Sequence, residues 1–165
     1  MVAADVQNAY LQAPISEKHF IICGTDFGIE NIGKKAIITR SLYGRKAAER
    51  DFWYHLKSYM KILDFDSSRA DPGVWMRESV RKDGVTKWYE YVLLYTYDCP
   101  LMSDQGKSVM KNDIVKYFEL KESYIGAPLQ YLGGNLRVVD INNGQNWWAF
   151  GSKQYVEAVV QNFLY

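Results

Sequence analysis

Apolar and polar positions follow two different periods along this chain, and the switches between them mark its elements. Val2-Ala3-Ala4 is an apolar run that meets Asp5 directly, as the end of a buried strand does. Residues 20–23 (Phe-Ile-Ile-Cys) and 36–39 (Ala-Ile-Ile-Thr) are short β-like runs separated by a loop from Gly24 to Gly33. From Ala47 to Leu63 the period becomes helical. Phe52, Trp53, Leu56, Tyr59, Met60 and Leu63 share one face, with Arg50, Asp51, Lys57 and Lys61 opposite.

Asp71-Pro72-Gly73 predicts a turn, followed by a strand through Val74-Trp75-Met76. A charged loop with Asp83-Gly84 leads into Trp88–Tyr95, whose near-continuous apolar character predicts a central strand buried on both faces. The two runs around this Asp-Gly pair predict a hairpin. A second helix is expected over 105–118, capped by Ser103 or Asp104, with Met110, Ile114, Tyr117 and Phe118 apolar. Tyr131–Val139 and Trp147–Phe150 flank Asn142-Asn143-Gly144, a second hairpin signal. Ser152 then caps a last helix whose Tyr155, Val156, Val159, Val160 and Phe163 are expected to face inward. No repeat and no low-complexity linker interrupts the chain. The pattern predicts one α+β domain, a mostly antiparallel sheet with helices on one face.

Composition narrows the classes. At 165 residues, 48% apolar, with 13 Tyr, 7 Phe and 5 Trp, the chain can bury a core and is not a disordered segment. The net charge of +1 gives no overall bias toward nucleic acid, but its distribution does. Lys34, Lys35, Arg40, Arg45, Lys46 and Arg50 against the single acid Glu49 make residues 34–50 a basic strip, a candidate for contacting phosphates or simply a solvated loop. Cys23 and Cys99 lack metal-ligand spacing and are expected to be reduced, intracellular thiols. No apolar run approaches a membrane span, so a soluble protein without a membrane partner is expected.

No triad, phosphate-binding loop or dinucleotide fingerprint is present. His19 and His55 lack partners at ligand spacing. Two carboxylates are of more interest. Asp5 and Asp98 each follow an apolar strand, where an acid is ordinarily a turn residue or helix cap. If the strands are neighbours, the two acids meet, and clustered carboxylates are stable as anions mainly around a cation. Such an arrangement serves two-metal phosphoryl transfer.

These residues also carry a resemblance. DVQNAYLQAP (Asp5–Pro14) resembles the first catalytic motif of reverse transcriptases of the copia retrotransposon type. TRSLYGRKAAER (Thr39–Arg50) is similar to that family's SLYGLKQAPR, and SSRADPGVW (Ser67–Trp75) to its S-x-x-D-P stretch. VLLYTYDC (Val92–Cys99) resembles the Tyr-x-Asp-Asp box with its preceding strand. YLGGNL (Tyr131–Leu136) resembles the FLGIEI primer grip, and GSKQYVEAVVQNF the element that follows it. Six motifs in the family's order span essentially the whole chain.

The resemblance implies an antiparallel palm domain of an RNA-directed DNA polymerase, read here as one fragment over residues 1–165 without complete fingers, thumb or ribonuclease H. It implies a cytoplasmic particle and nuclear setting, an RNA template, a DNA primer and a deoxynucleotide triphosphate, and the rest of a retroelement polyprotein as partner. Asp5 and Asp98 would be catalytic and hold two Mg²⁺ ions, assisted by the Val6 carbonyl. Tyr10 would lie under the incoming sugar, with Gly44 and Lys46 near template and nucleotide. Arg45, Arg50, Leu132 and Gly133 would contact nucleic acid. Plain alternatives are a core aromatic at Tyr10, a turn at Gly44 and a solvated cation at Lys46.

Three positions depart from the pattern. Tyr97 stands where the box has its first aspartate, and a neutral phenol with a solution pKa of ~10 brings no charge to a hard cation. Losing one of three carboxylates lowers the potential that holds two dications, so this copy is expected to bind them poorly and to be catalytically defective. Pro100 enters the return strand, where a residue without an N–H disrupts pairing unless it faces an edge. Glu49 replaces a proline. A non-catalytic domain that binds nucleic acid or a partner protein is the alternative function.

Overall fold

The structure, a computed structural model, describes residues 1–95, 98–121, 125–141 and 144–163. In chain order these form β1 (Val2–Asp5), α1 (Ala9–Gln12), β2 (Pro14–Ile22), β3 (Lys35–Arg40) and α2 (Ala48–Ile62). There follow β4 (Asp66–Ser67), β5 (Val74–Val80), β6 (Lys87–Leu93), β7 (Asp98–Met102) and α3 (Gly106–Asn112). The last elements are β8 (Gln130–Tyr131), β9 (Gly134–Asp140), β10 (Asn146–Gly151) and α4 (Lys153–Phe163). The fold class is α+β, with every strand pair antiparallel.

The main sheet has the order β1-β7-β6-β5-β4. Its residues alternate between faces, as the strand period requires. Ala4, Trp75, Val92 and Leu101 point into the core, where they meet Phe52, Leu56 and Met60 of α2, Val109 and Met110 of α3, and Phe118. The helices therefore cover one face of this sheet. Separate pairs make a β2–β3 ribbon and a three-stranded β10-β9-β8 sheet.

The β5–β6 hairpin forms around Asp83 as expected, in continuous register from Val74↔Leu93 to Val80↔Lys87. Asp83 accepts the N–H groups of Val85 and Thr86 and the Thr86 hydroxyl, which draws its carboxyl down to about 2. The β9–β10 hairpin also forms, although Asn142 and Asn143 lie outside the described residues.

Several sequence expectations need correction. β6 is central but not buried on both faces. Val92 and Glu90 face the core, whereas Tyr89, on the side the helices leave uncovered, is 43% exposed. The expected helix over 105–118 is α3 alone. It ends at Asn112 with Asp113 as its C-cap, and a 3₁₀ turn follows over Ile114–Lys116, which still buries Ile114. Its N-cap is Gln105, without a side-chain bond. Ser103 instead accepts the Gln105 N–H at 2.9 Å and donates its hydroxyl to Glu90.

Asp51, assigned to the solvent face of α2, is buried, because Arg45 folds over the start of the helix to pair with it. The run Tyr131–Val139 is two strands. Leu132 (φ 49°) and Gly133 (φ 73°) reverse the chain between β8 and β9, both in the left-handed region. The apolar face of α4 does not turn inward. Among the described residues that helix lies mainly against β9, with Gln154 accepting a bond from Gln130 of β8, so Tyr155 and Phe163 stay 70% and 86% exposed.

Candidate active site

β1 is an edge strand of the main sheet, and its pairing fixes the site. Val2↔Leu101, Ala3↔Pro100, Ala4↔Cys99 and Asp5↔Asp98 are partners across β1 and β7. Ala3 exchanges backbone bonds with Gly126 on the outer side, and the Asp5 carbonyl accepts the Lys121 N–H there at 3.0 Å. Odd residues of β1 thus turn their backbone groups outward, and even ones turn theirs toward β7. The backbone of Asp98 is likewise committed to the other side, exchanging bonds with Tyr95 at 2.9 and 3.2 Å. Asp5 and Asp98 therefore form a non-hydrogen-bonded antiparallel pair, the kind with Cα atoms about 4.5 Å apart and side chains closest. Both carboxylates lie on the sheet face opposite the helices. By the same alternation the Val6 carbonyl is directed to the β7 side.

The two acids differ in setting. Burial, and then the neighbouring Asp5 charge, push the Asp98 carboxyl above the usual carboxylate range. Asp5 Oδ2 is met by the ammonium of Lys121 at 2.5 Å. Lys121 escapes sequence inspection because its partner is 116 residues away. The faint signal was Phe118 and Leu120, both buried, alternating just before it. A groove of about 550 Å³ adjoins the pair, lined by Ala3, Gly126, Pro128, Leu129 and Asn135 among others. Tyr131 stands close by. Burial first, then the charges of Asp71 and Asp98, push its phenol upward.

Tyr97 lies outside the described residues. Pro100 does interrupt the ladder. β6 and β7 pair at Tyr91↔Met102 and Val92↔Leu101, then resume only at the Tyr95↔Asp98 bridge. The gap falls where the Leu93 carbonyl would meet the N–H that proline lacks. On its other side Pro100 keeps its place opposite Ala3.

Tyr10 packs against Tyr43 with ring centroids 4.7 Å apart and against Phe52 at 6.1 Å. Gly44, in the turn that carries Tyr43, has φ 87°, which L side chains rarely adopt. Lys46 and Arg50 are exposed. Arg45 is engaged internally, reaching Asp51 at 3.0 Å, Glu17 at 3.1 Å and Ser41 at 3.3 Å. Leu132 and Gly133 form the exposed tip of the β8–β9 hairpin, away from the basic turn in sequence.

A pair of dications fits this donor set poorly. No group of three or more His, Cys, Asp or Glu stands together among the described residues. One of the two carboxylates present already carries an ammonium. The family model described as reverse transcriptase (RNA-dependent DNA polymerase) matches residues 1–164. The chain belongs to that family. It is similar to the retrovirus-related Pol polyprotein from transposon TNT 1-94 of Nicotiana tabacum, 27% identical over 164 residues. The match covers 96% of this chain and 11% of that polyprotein, so the chain spans about a ninth of its relative's length. It is a reverse transcriptase domain of the copia retrotransposon type. No solved structure matches it. Reverse transcriptases generally use Mg²⁺. No helix among the described residues of this domain is long and apolar enough to cross a membrane.

Proposed function

We propose that the chain is the palm of an RNA-directed DNA polymerase from a retroelement polyprotein, and that this copy does not complete nucleotidyl transfer. The observation that carries the reading is the direct pairing of Asp5 with Asp98, on the sheet face free of helices. Two acids held side by side at strand ends are costly unless used, since like charges placed opposite destabilise a sheet.

In this reading Tyr10, braced by Tyr43 and Phe52, supports the sugar of an incoming deoxynucleotide. The Gly44 turn and Lys46 lie along the template, Arg50 offers its charge to phosphates, and Arg45 holds the turn through Asp51. The Leu132–Gly133 tip meets the primer. Template RNA, primer DNA and the remaining polyprotein are the partners, and a cytoplasmic particle and the nucleus the setting. The defect has two sources: a phenol at position 97 in place of a carboxylate, and a strand ladder broken at Pro100.

Primer extension on an RNA template with Mg²⁺ tests this. The chain as it stands should give no product. Tyr97→Asp, Tyr97→Asp with Pro100→Leu, and the doubly repaired sequence within a longer copia-type polyprotein should recover synthesis in increasing measure. Robust extension by the unrepaired chain would overturn the reading. The ion pair on Asp5 favours a second reading, a non-catalytic domain that keeps the fold to bind nucleic acid. Its affinity should then fall steeply with salt, and Lys46→Ala with Arg50→Ala should flatten that slope.

A further inference from the structure

The carboxylate pair is already partly neutralised from within the chain. Lys121 reaches Asp5 twice, with its backbone N–H on the carbonyl at 3.0 Å and its ammonium on Oδ2 at 2.5 Å. Glu119 and Lys121 bond the outer edge of β1 and the residues after it, through Gln7 and Asp5. Val6 bridges Leu120 on one side of Lys121 and Ala3 bridges Gly126 on the other, so the backbone delivers the ammonium to the acid. Among the described residues, the Lys121 ammonium meets Asp5, and Asp98 is the strand partner of Asp5.

We propose that Lys121 is a built-in counter-ion of the Asp5–Asp98 pair, holding the site in a state that competes with a divalent cation for the same oxygen. A carboxylate bonded to an ammonium has given up much of the potential that attracts a dication. A cation of the Mg²⁺ class must displace the lysine from Oδ2 before Asp5 can ligate it. The inference rests on reading these acids as the family's site. Its test measures cation binding and amine accessibility rather than synthesis, so its failure leaves the polymerase reading untouched.

The probe is Mn²⁺, followed by loss of the free-ion paramagnetic resonance signal on titration into the purified chain. Lys121→Met should lower the dissociation constant for Mn²⁺ at least tenfold against the unmutated chain. Lys121→Arg, which keeps the charge, should not. Adding Asp5→Asn to Lys121→Met should erase the gain. Equal affinity in the unmutated chain and Lys121→Met, or a gain that survives loss of the Asp5 carboxylate, would overturn the proposal. A second measurement does not depend on the folding of the methionine variant. Acetylation of Lys121 by an amine-reactive ester, followed by mass spectrometry, should be several-fold slower than that of Lys153 and should speed up in Asp5→Asn. Lys121 acetylation unchanged by Asp5→Asn would also overturn it.

Discussion

Asp5 and Asp98 face each other across β1 and β7 with their backbones bonded elsewhere, so nothing but side-chain chemistry separates the two charges. Burial raises Asp98 first and the Asp5 charge adds to it. Asp5→Asn should therefore lower the Asp98 midpoint while leaving it above the ordinary 3.8, as carbon-13 titration of the carboxyl will show. The stability consequence has a definite sign. A raised folded value means the native state keeps its proton longer than the unfolded chain. The contribution of Asp98 is thus fully present below 3.8 and is lost as the pH rises through the raised value. Asp98→Asn should remove that part of the pH dependence, and denaturation across this range measures it.

Arg77 and Glu90 form an ion pair on the core face of the main sheet. Arg77 bonds Glu90 at 2.8 Å, the Leu63 carbonyl and Asp113 at 3.1 Å, and lies over the Phe65 ring. Glu90 is buried and also accepts the Ser103 hydroxyl. Glu90→Ala leaves a largely buried guanidinium without its main partner and should cost about 3 kcal/mol, the low end for such a loss because Asp113 remains. Glu90→Leu with Arg77→Met should cost less than the single change. Urea denaturation of both variants checks the order, and a double variant worse than the single would show that the pair itself stabilises the fold.

Pro100 leaves the Leu93 carbonyl facing a missing donor. Pro100→Leu should supply one and close the ladder between Val92↔Leu101 and Tyr95↔Asp98. A new amide at position 100 should then exchange with solvent at rates close to those of Leu101, with a gain of ~1 kcal/mol typical of one hydrogen bond. An amide at 100 that exchanges as freely as a loop amide would mean that the strands stay apart for another reason.

Gly44 has open space around a would-be Cβ, so only its backbone conformation resists substitution. At φ 87° an alanine should cost about 1–2 kcal/mol through strain alone. If the turn supports Tyr10 through Tyr43, Gly44→Ala should also shift the tyrosine ultraviolet signal in near-ultraviolet circular dichroism. A stability loss without that shift would separate the turn from the aromatic contact.

Local pattern gave the elements wherever one face meets the core. Phe52, Leu56 and Met60 predicted α2, and the Asp83 turn predicted its hairpin, because each signal is contained within a few residues. The meeting of Asp5 with Asp98 was legible as an expectation from two acids that end apolar strands. The register that aligns them depends on pairing over more than 90 positions and is not written locally. Asp51 misled for a related reason. Its position on the helix wheel is polar, and its burial follows from Arg45 six residues earlier folding back over it. α4 misled in the opposite sense, since periodicity shows that a face is apolar but not what covers it.

That last helix has a bearing on how the chain behaves in bulk. Tyr155, Val156, Val159, Val160 and Phe163 present apolar surface to water along one side of it, next to a sheet that exposes Trp147 and Phe150. Contiguous apolar area of this kind makes the forces between copies attractive, which in scattering terms is a negative second virial coefficient. The colloidal lifetime of the domain is thus set by its least covered helix rather than by its well-packed core. Whatever shields α4 acts as a solubiliser whether or not it has any part in chemistry.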